Sequence, residues 1–128
     1  MSSPIRSLSA LLLLVLLTLQ APVARAAVTF TASRTHAVAG ERITFDWQGL
    51  PDDAHEVELE LSLAGGRWIR VSPGLEPRDG RFVWTAPTGL VGEARVRLRV
   101  GGRHDEQVVA EVPLHFVAEV VLGPHATS

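Results

Sequence analysis

Two segments of the chain alternate apolar and charged residues with a strict period of two. Val57, Leu59 and Leu61 interleave with Glu56, Glu58 and Glu60, and Ala94, Val96 and Leu98 interleave with Arg95, Arg97 and Arg99. Such alternation predicts half-buried strands. Unlike charges on the two wet faces predict that the strands are neighbours, because opposite charges across a strand pair stabilise it and like charges do not. The expected antiparallel register places Glu60 opposite Arg95, Glu58 opposite Arg97 and Glu56 opposite Arg99.

Five further strands follow from the same pattern. Val28 to Ala32 comes first, then Arg42 to Trp47 with Ile43, Phe45 and Trp47 facing inward. The glutamate strand runs from His55 to Leu63, and Ala64-Gly65-Gly66 turns it into Arg67 to Val71. A three-residue loop sets Leu61 opposite Ile69 and Leu59 opposite Val71, which buries Ile69 and Val71 and turns Trp68 and Arg70 outward. Arg81 to Ala86 carries Phe82 and Trp84 inward and stops at Pro87, which cannot donate to a ladder. The arginine strand, Ala94 to Val100, precedes a last strand from about Val108 to Phe116. There Val108, Ala110, Val112, Leu114 and Phe116 share the inner parity, and Pro113 on the other parity predicts an edge or a bulge. Strand signals recur about every eight to twelve residues with Gly, Pro and Asp between them, the spacing of a sandwich or barrel. Neither a helical period nor an internal repeat is present.

The order of motifs resembles bacterial secreted immunoglobulin-like and fibronectin-III-like modules. Ile43-Thr44-Phe45-Asp46-Trp47, Val57 to Ser62, Gly65-Gly66-Arg67-Trp68, Gly80 to Pro87 and Ala94 to Leu98 carry the resemblance. It is similar also to the Ig-like part of Ser/Thr-rich anchored wall proteins. The resemblance implies a seven-stranded immunoglobulin-like β-sandwich, all-β, and a non-catalytic appendage or scaffold. Ala64 departs from it, standing where the pattern has Asp.

The first residues read as an export signal. Arg6 gives a positive start, Ala10 to Leu19 an apolar run, and Ala24-Arg25-Ala26 a small-x-small cleavage site, so residues 1–26 are expected to be removed. The run is shorter than the roughly 20 residues that span a bilayer, so no membrane span is expected after cleavage. Residues 27–121 then form the domain and Leu122 to Ser128 a disordered tail. Localisation is expected to be periplasmic or extracellular. With no cysteine, packing alone must hold the exported domain. Lys, Asn and Tyr are also missing, which points to a GC-rich bacterial genome and excludes N-glycosylation. Ten arginines against fourteen acids remain after cleavage, so nucleic acid is not an expected partner.

The candidate chemistry is sparse. Ser62 lies in Leu-Ser-Leu and lacks the flanking glycines of a nucleophile elbow. His36, His55, His104, His115 and His125 show neither a helical i, i+4 pair nor a Cys/His cluster, and His115 is read as solvated. The predicted start at Ala27 also lacks the terminal ligand histidine of copper-binding sandwiches. Loops at one end gather Asp52, Asp53, Asp79 and Asp105 with His104 and Glu106, oxygen donors that could hold calcium but equally what turns require. Trp68, turned outward with Arg70 beside Glu58, Glu60, Arg95 and Arg97, is the candidate ligand-binding surface, since an exposed aromatic on a stiff sheet suits a sugar ring or a protein. No cofactor and no enzymatic activity are expected. The expected function is a binding or adhesion module for an envelope protein or carbohydrate, and its alternative is an assembly subunit acting through a strand edge.

The leader reading is checked by intact mass: the exported protein should lack Met1 to Ala26, and a retained Met1 would overturn the assignment.

Overall fold

The structure, a computed structural model, describes residues 27–118. The expected leader and the tail from Leu122 lie outside the described residues, as does the end of the domain assigned to 27–121. The described chain is all-β apart from one 3-10 turn, Pro77–Asp79. Its strands are β1 (Thr29–Ala32), β2 (His36–Ala37), β3 (Arg42–Gln48), β4 (Glu56–Leu63), β5 (Ile69–Arg70), β6 (Arg81–Thr85), β7 (Gly92–Gly101) and β8 (Glu106–Phe116). They form a three-stranded sheet, β1-β3-β6, and a five-stranded sheet, β2-β8-β7-β4-β5. Eight strands replace the expected seven because the two-residue β2, too short to show any period, pairs in parallel with the end of β8. Among the described residues no helix is long and apolar enough to cross a membrane.

The core lies between the sheets and is built from the predicted inward positions. Ile43, Phe45 and Trp47 of β3 face Val57, Leu59 and Leu61 of β4 and Val96, Leu98 and Val100 of β7, all buried. Each such aliphatic or aromatic side chain contributes about 1.5–3 kcal/mol relative to exposure. Trp47 also satisfies its indole N–H, which donates to Pro77 O at 3.0 Å and ties the 3-10 turn to β3.

β4 and β7 are antiparallel neighbours, as the charge pattern predicts, but their register is two residues away from the expected one. Glu58 faces Arg99, Glu60 faces Arg97, and Ser62 faces Arg95, while Glu56 meets Gly101. A shift of two keeps every side chain on its own face, so charge alternation alone does not distinguish the two registers. The apolar face does. The observed register pairs Val57 with Val100, Leu59 with Leu98, Leu61 with Val96 and Leu63 with Ala94. The expected one would have set Val100 against His55 and Leu63 against Gly92.

The hairpin from β4 to β5 has the expected register, Leu61 opposite Ile69 and Glu60 opposite Arg70. Its loop uses left-handed conformations at Ala64 (φ 48°) and Gly65 (φ 72°), and the first carries the penalty of about 1–2 kcal/mol that a Cβ imposes there. Burial of Ile69 does not follow: it is 57% exposed. Ile69 lies on β5, the two-residue edge strand of the wider sheet. β5 itself shrinks to two residues because Ser72 interrupts the ladder. The Leu59 N–H donates to Ser72 Oγ at 2.8 Å, and that hydroxyl donates to Pro73 O at 2.9 Å.

A bulge changes parity in β8. Leu98 pairs with Ala110 but Arg99 pairs with Val108, so Val109 is the extra residue. Val108 therefore turns outward, 47% exposed, against the expected inward position. The expected inward placement holds from Ala110 onward, with Leu114 and Phe116 buried.

Replacing Ser72 with Ala should destabilise the fold by about 1–3 kcal/mol, because it strands a buried Leu59 N–H. Urea unfolding measures it, and a loss below about 0.5 kcal/mol, the range of an ordinary surface substitution, would contradict this role.

Candidate functional site

The outer face of the five-stranded sheet receives every outward residue of β4, β5 and β7, and so assembles the predicted surface. At its centre Glu60 Oε1 accepts from Arg97 Nε at 2.9 Å. The Arg97 guanidinium lies 4.3 Å from the centre of the Trp68 ring. Glu60 is buried although it is charged, and its partner's side chain is only 23% exposed. Trp68, half-buried, thus covers an ion pair, and part of its aromatic face is already occupied by a cation. The expectation of a freely presented tryptophan is corrected accordingly.

The remaining charges pair around this centre. Arg70 reaches Glu58 at 3.1 Å and donates to Ser72 O at 2.9 Å. Arg95 reaches Glu111 of β8 at 3.1 Å, and Arg99 pairs with Glu106. All six predicted surface residues, Trp68, Arg70, Glu58, Glu60, Arg95 and Arg97, therefore lie on one face, but as a self-neutralised network. Glu106 and Glu111 complete it from β8. The outward parity of Glu111 was legible in the sequence, whereas Glu106 lies beyond the bulge, where parity reasoning stops.

The acidic loops divide into two places. Asp53 Oδ2 accepts from the Arg103 N–H at 3.3 Å. A Cβ built on Gly102 would meet the carboxylates of both Asp53 and Asp105, which brings these two together. Asp52 instead lines an open cleft of about 460 Å³ between the β3–β4 loop and the 3-10 turn, with Trp47, His55, Glu76 and Arg78. Asp79 sits in the 3-10 turn and lines neither. Among the described residues no three His, Asp or Glu side chains converge on a metal position. Ser62 is buried, and its hydroxyl donates to Gly66 O at 2.7 Å, which commits it to the hairpin loop.

No protein-family model matches the chain, and no curated protein matches it. Among solved structures it is similar to a β-1,2-glucanase from Parabacteroides distasonis, with a TM-score of 0.48 and 16% identity over 79% of this chain. The chain spans 14% of that protein's length. A likeness at this level transfers neither a site nor an activity.

The network makes unequal demands on its members. Arg97→Met should cost about 1.5–3 kcal/mol, since it leaves the buried Glu60 carboxylate without its charged donor. Arg95→Met, whose partners are more open to water, should cost less than about 1 kcal/mol. Equal losses in urea unfolding would refute the central place of the Glu60–Arg97 pair.

Proposed function

We propose that this chain is an exported, non-catalytic immunoglobulin-like module that recruits an extended segment of a partner polypeptide by strand addition. The strand order supports the immunoglobulin-like reading: β1 and β2, separated by a few residues, join opposite sheets, and hairpin-connected strands return between them. The hydrogen bond that ties the Ser62 hydroxyl to its own loop supports the absence of a serine nucleophile.

The choice of strand addition over side-chain recognition rests on where unsatisfied hydrogen-bonding groups remain. On the sheet face the charges already satisfy one another, so an ionic ligand would have to break existing pairs. Backbone groups at strand edges are different, because only another extended chain satisfies them in series. The β8 edge, the expected one, is blunted. The His115 N–H points away from β7 to Thr35 O, so by two-residue alternation the Pro113 position also faces outward and has no N–H to offer. The bulge at Val109 and the short β2 obstruct the rest. On the other side of that sheet, β5 is two residues long and is followed by Ser72-Pro73.

Among the described residues no such device blunts β6. Trp47 donates to Gly80 O and Ala86 donates to Glu41 O, so alternate residues of β6 spend their groups on β3. The main-chain groups of Arg81, Val83 and Thr85 therefore point outward in an unbroken row, without proline, bulge or lysine. This row is the observation that carries the proposal. Val83 is 49% exposed beside it.

Val83→Pro removes one outward donor while sparing the β3 ladder. In affinity capture from the protein's own envelope fraction, this folded variant should lose its partner by at least about tenfold, 1.4 kcal/mol in binding. Trp68→Ala should retain it. Loss with Trp68→Ala and retention with Val83→Pro would move the contact to the sheet face and overturn strand addition.

A further inference from the structure

β2 contains only His36 and Ala37. Ala37 is buried, so His36 points away from the core and is exposed. The parallel register sets His36 beside His115 of β8, and β8 sets His115 beside Glu93 of β7. These three side chains form a row across three strands of the outer face. The imidazole centres of His36 and His115 are 5.3 Å apart, with the rings tilted by 55°.

Each ring has a partner at Nδ1. His115 Nδ1 lies 2.7 Å from Glu93 Oε1, and His36 Nδ1 lies 3.1 Å from Thr35 Oγ1. A carboxylate at Nδ1 orients the ring and leaves Nε2 of His115 as the nitrogen available to a metal, the arrangement of carboxylate-oriented metal ligands. Metal–nitrogen bonds of about 2.0–2.1 Å would place two bound imidazole centres roughly 4.5 Å apart at the right angle of a tetragonal ion and roughly 5 Å apart at a tetrahedral angle. The two rings already stand close to that range.

We propose that His36 and His115 form a surface site for one late first-row divalent ion, with Glu93 as a positioning residue for His115. Imidazole ligands suit copper, nickel and zinc, and the general order of affinities favours Cu(II). The protein supplies two ligands and water the others, consistent with the lack of a three-ligand cluster among the described residues. The site joins β2 to β8 across a short seam whose main-chain bonds include His115 N–H to Thr35 O at 2.7 Å and Val117 N–H to Ala37 O at 2.8 Å. A bound ion would clamp that seam. The inference is independent of strand addition at β6.

Chlorides of copper(II), nickel(II) and zinc(II) titrated into the purified protein in a non-coordinating buffer test the site by calorimetry and amide hydrogen exchange. One ion should bind per chain, copper most tightly, and the His115 and Val117 amides should exchange more slowly in the loaded protein. His115→Ala and His36→Gln should each weaken binding by at least about tenfold, and Glu93→Gln should weaken it less. His55→Ala and His104→Ala should leave it unchanged. Absence of saturable binding, binding that survives both His36→Gln and His115→Ala, or loss in His104→Ala, which would place the ion on the acidic loops, would each overturn the proposal.

Discussion

The pairing of β4 with β7 is the constraint on which the rest of the sandwich depends. These two strands bring Val57, Leu59, Leu61, Val96, Leu98 and Val100 onto one buried face, and all the other strands pack against or extend that face. Because the side-chain period is two, the same pairing gathers glutamates and arginines on the opposite face. The core thus determines the register, and the charged surface inherits it. An exposed charge pair contributes only about 0.2–1 kcal/mol, whereas a buried Leu or Val contributes several times more, so a conflict between the two faces is resolved in favour of the core.

That hierarchy explains why the charges do not sit in straight rows. On the outer face of β4, β5 and β7, Glu60 and Arg97 pair directly across the strands, whereas Arg70 reaches diagonally to Glu58 and Arg95 to Glu111 of β8. Long side chains tolerate a diagonal reach, which is why the surface could adapt to a register chosen elsewhere. Glu60 is the exception: it is buried, and of the two arginines that flank it, Arg70 on β5 and Arg97 on β7, it pairs with Arg97. Trp68 follows from Glu60: by covering the Arg97 guanidinium it shields the one ion pair that water cannot help.

Most of the fold was legible from alternation. The long strands, their neighbours β4 and β7, the inward residues of β3 and the Leu61–Ile69 hairpin register all follow from period two and turn length. What escaped was non-periodic or depended on a second layer. β2 is two residues long and exists because β8 offers it an edge. Val109 enters as a bulge residue that no local pattern announces, and it reverses Val108. Ile69 has the parity of a buried residue, yet exposure depends on how many strands lie opposite, which a single strand does not encode. The candidate surface was legible as a set of residues, but its internal pairing was not. The juxtaposition of His36 with His115 was invisible for the same reason as β2.

The strand edges show how the molecule distributes a single hazard. An open edge invites pairing with any extended chain, and most edges here carry an obstruction. β8 has Pro113, a bulge and the cover of β2; β5 stops at Ser72-Pro73; β1 turns toward β8. Against this background, a regular edge at β6 is not explained by sandwich stability, since placing a proline at Val83 would cost no ladder bond to β3. An edge left open where closing it is cheap is the pattern expected when the opening itself is used. The same reasoning applies to β2 from the other side: two residues make a weak cover for β8, and a cross-strand pair of histidines sits on its outward position, from which that cover could be reinforced.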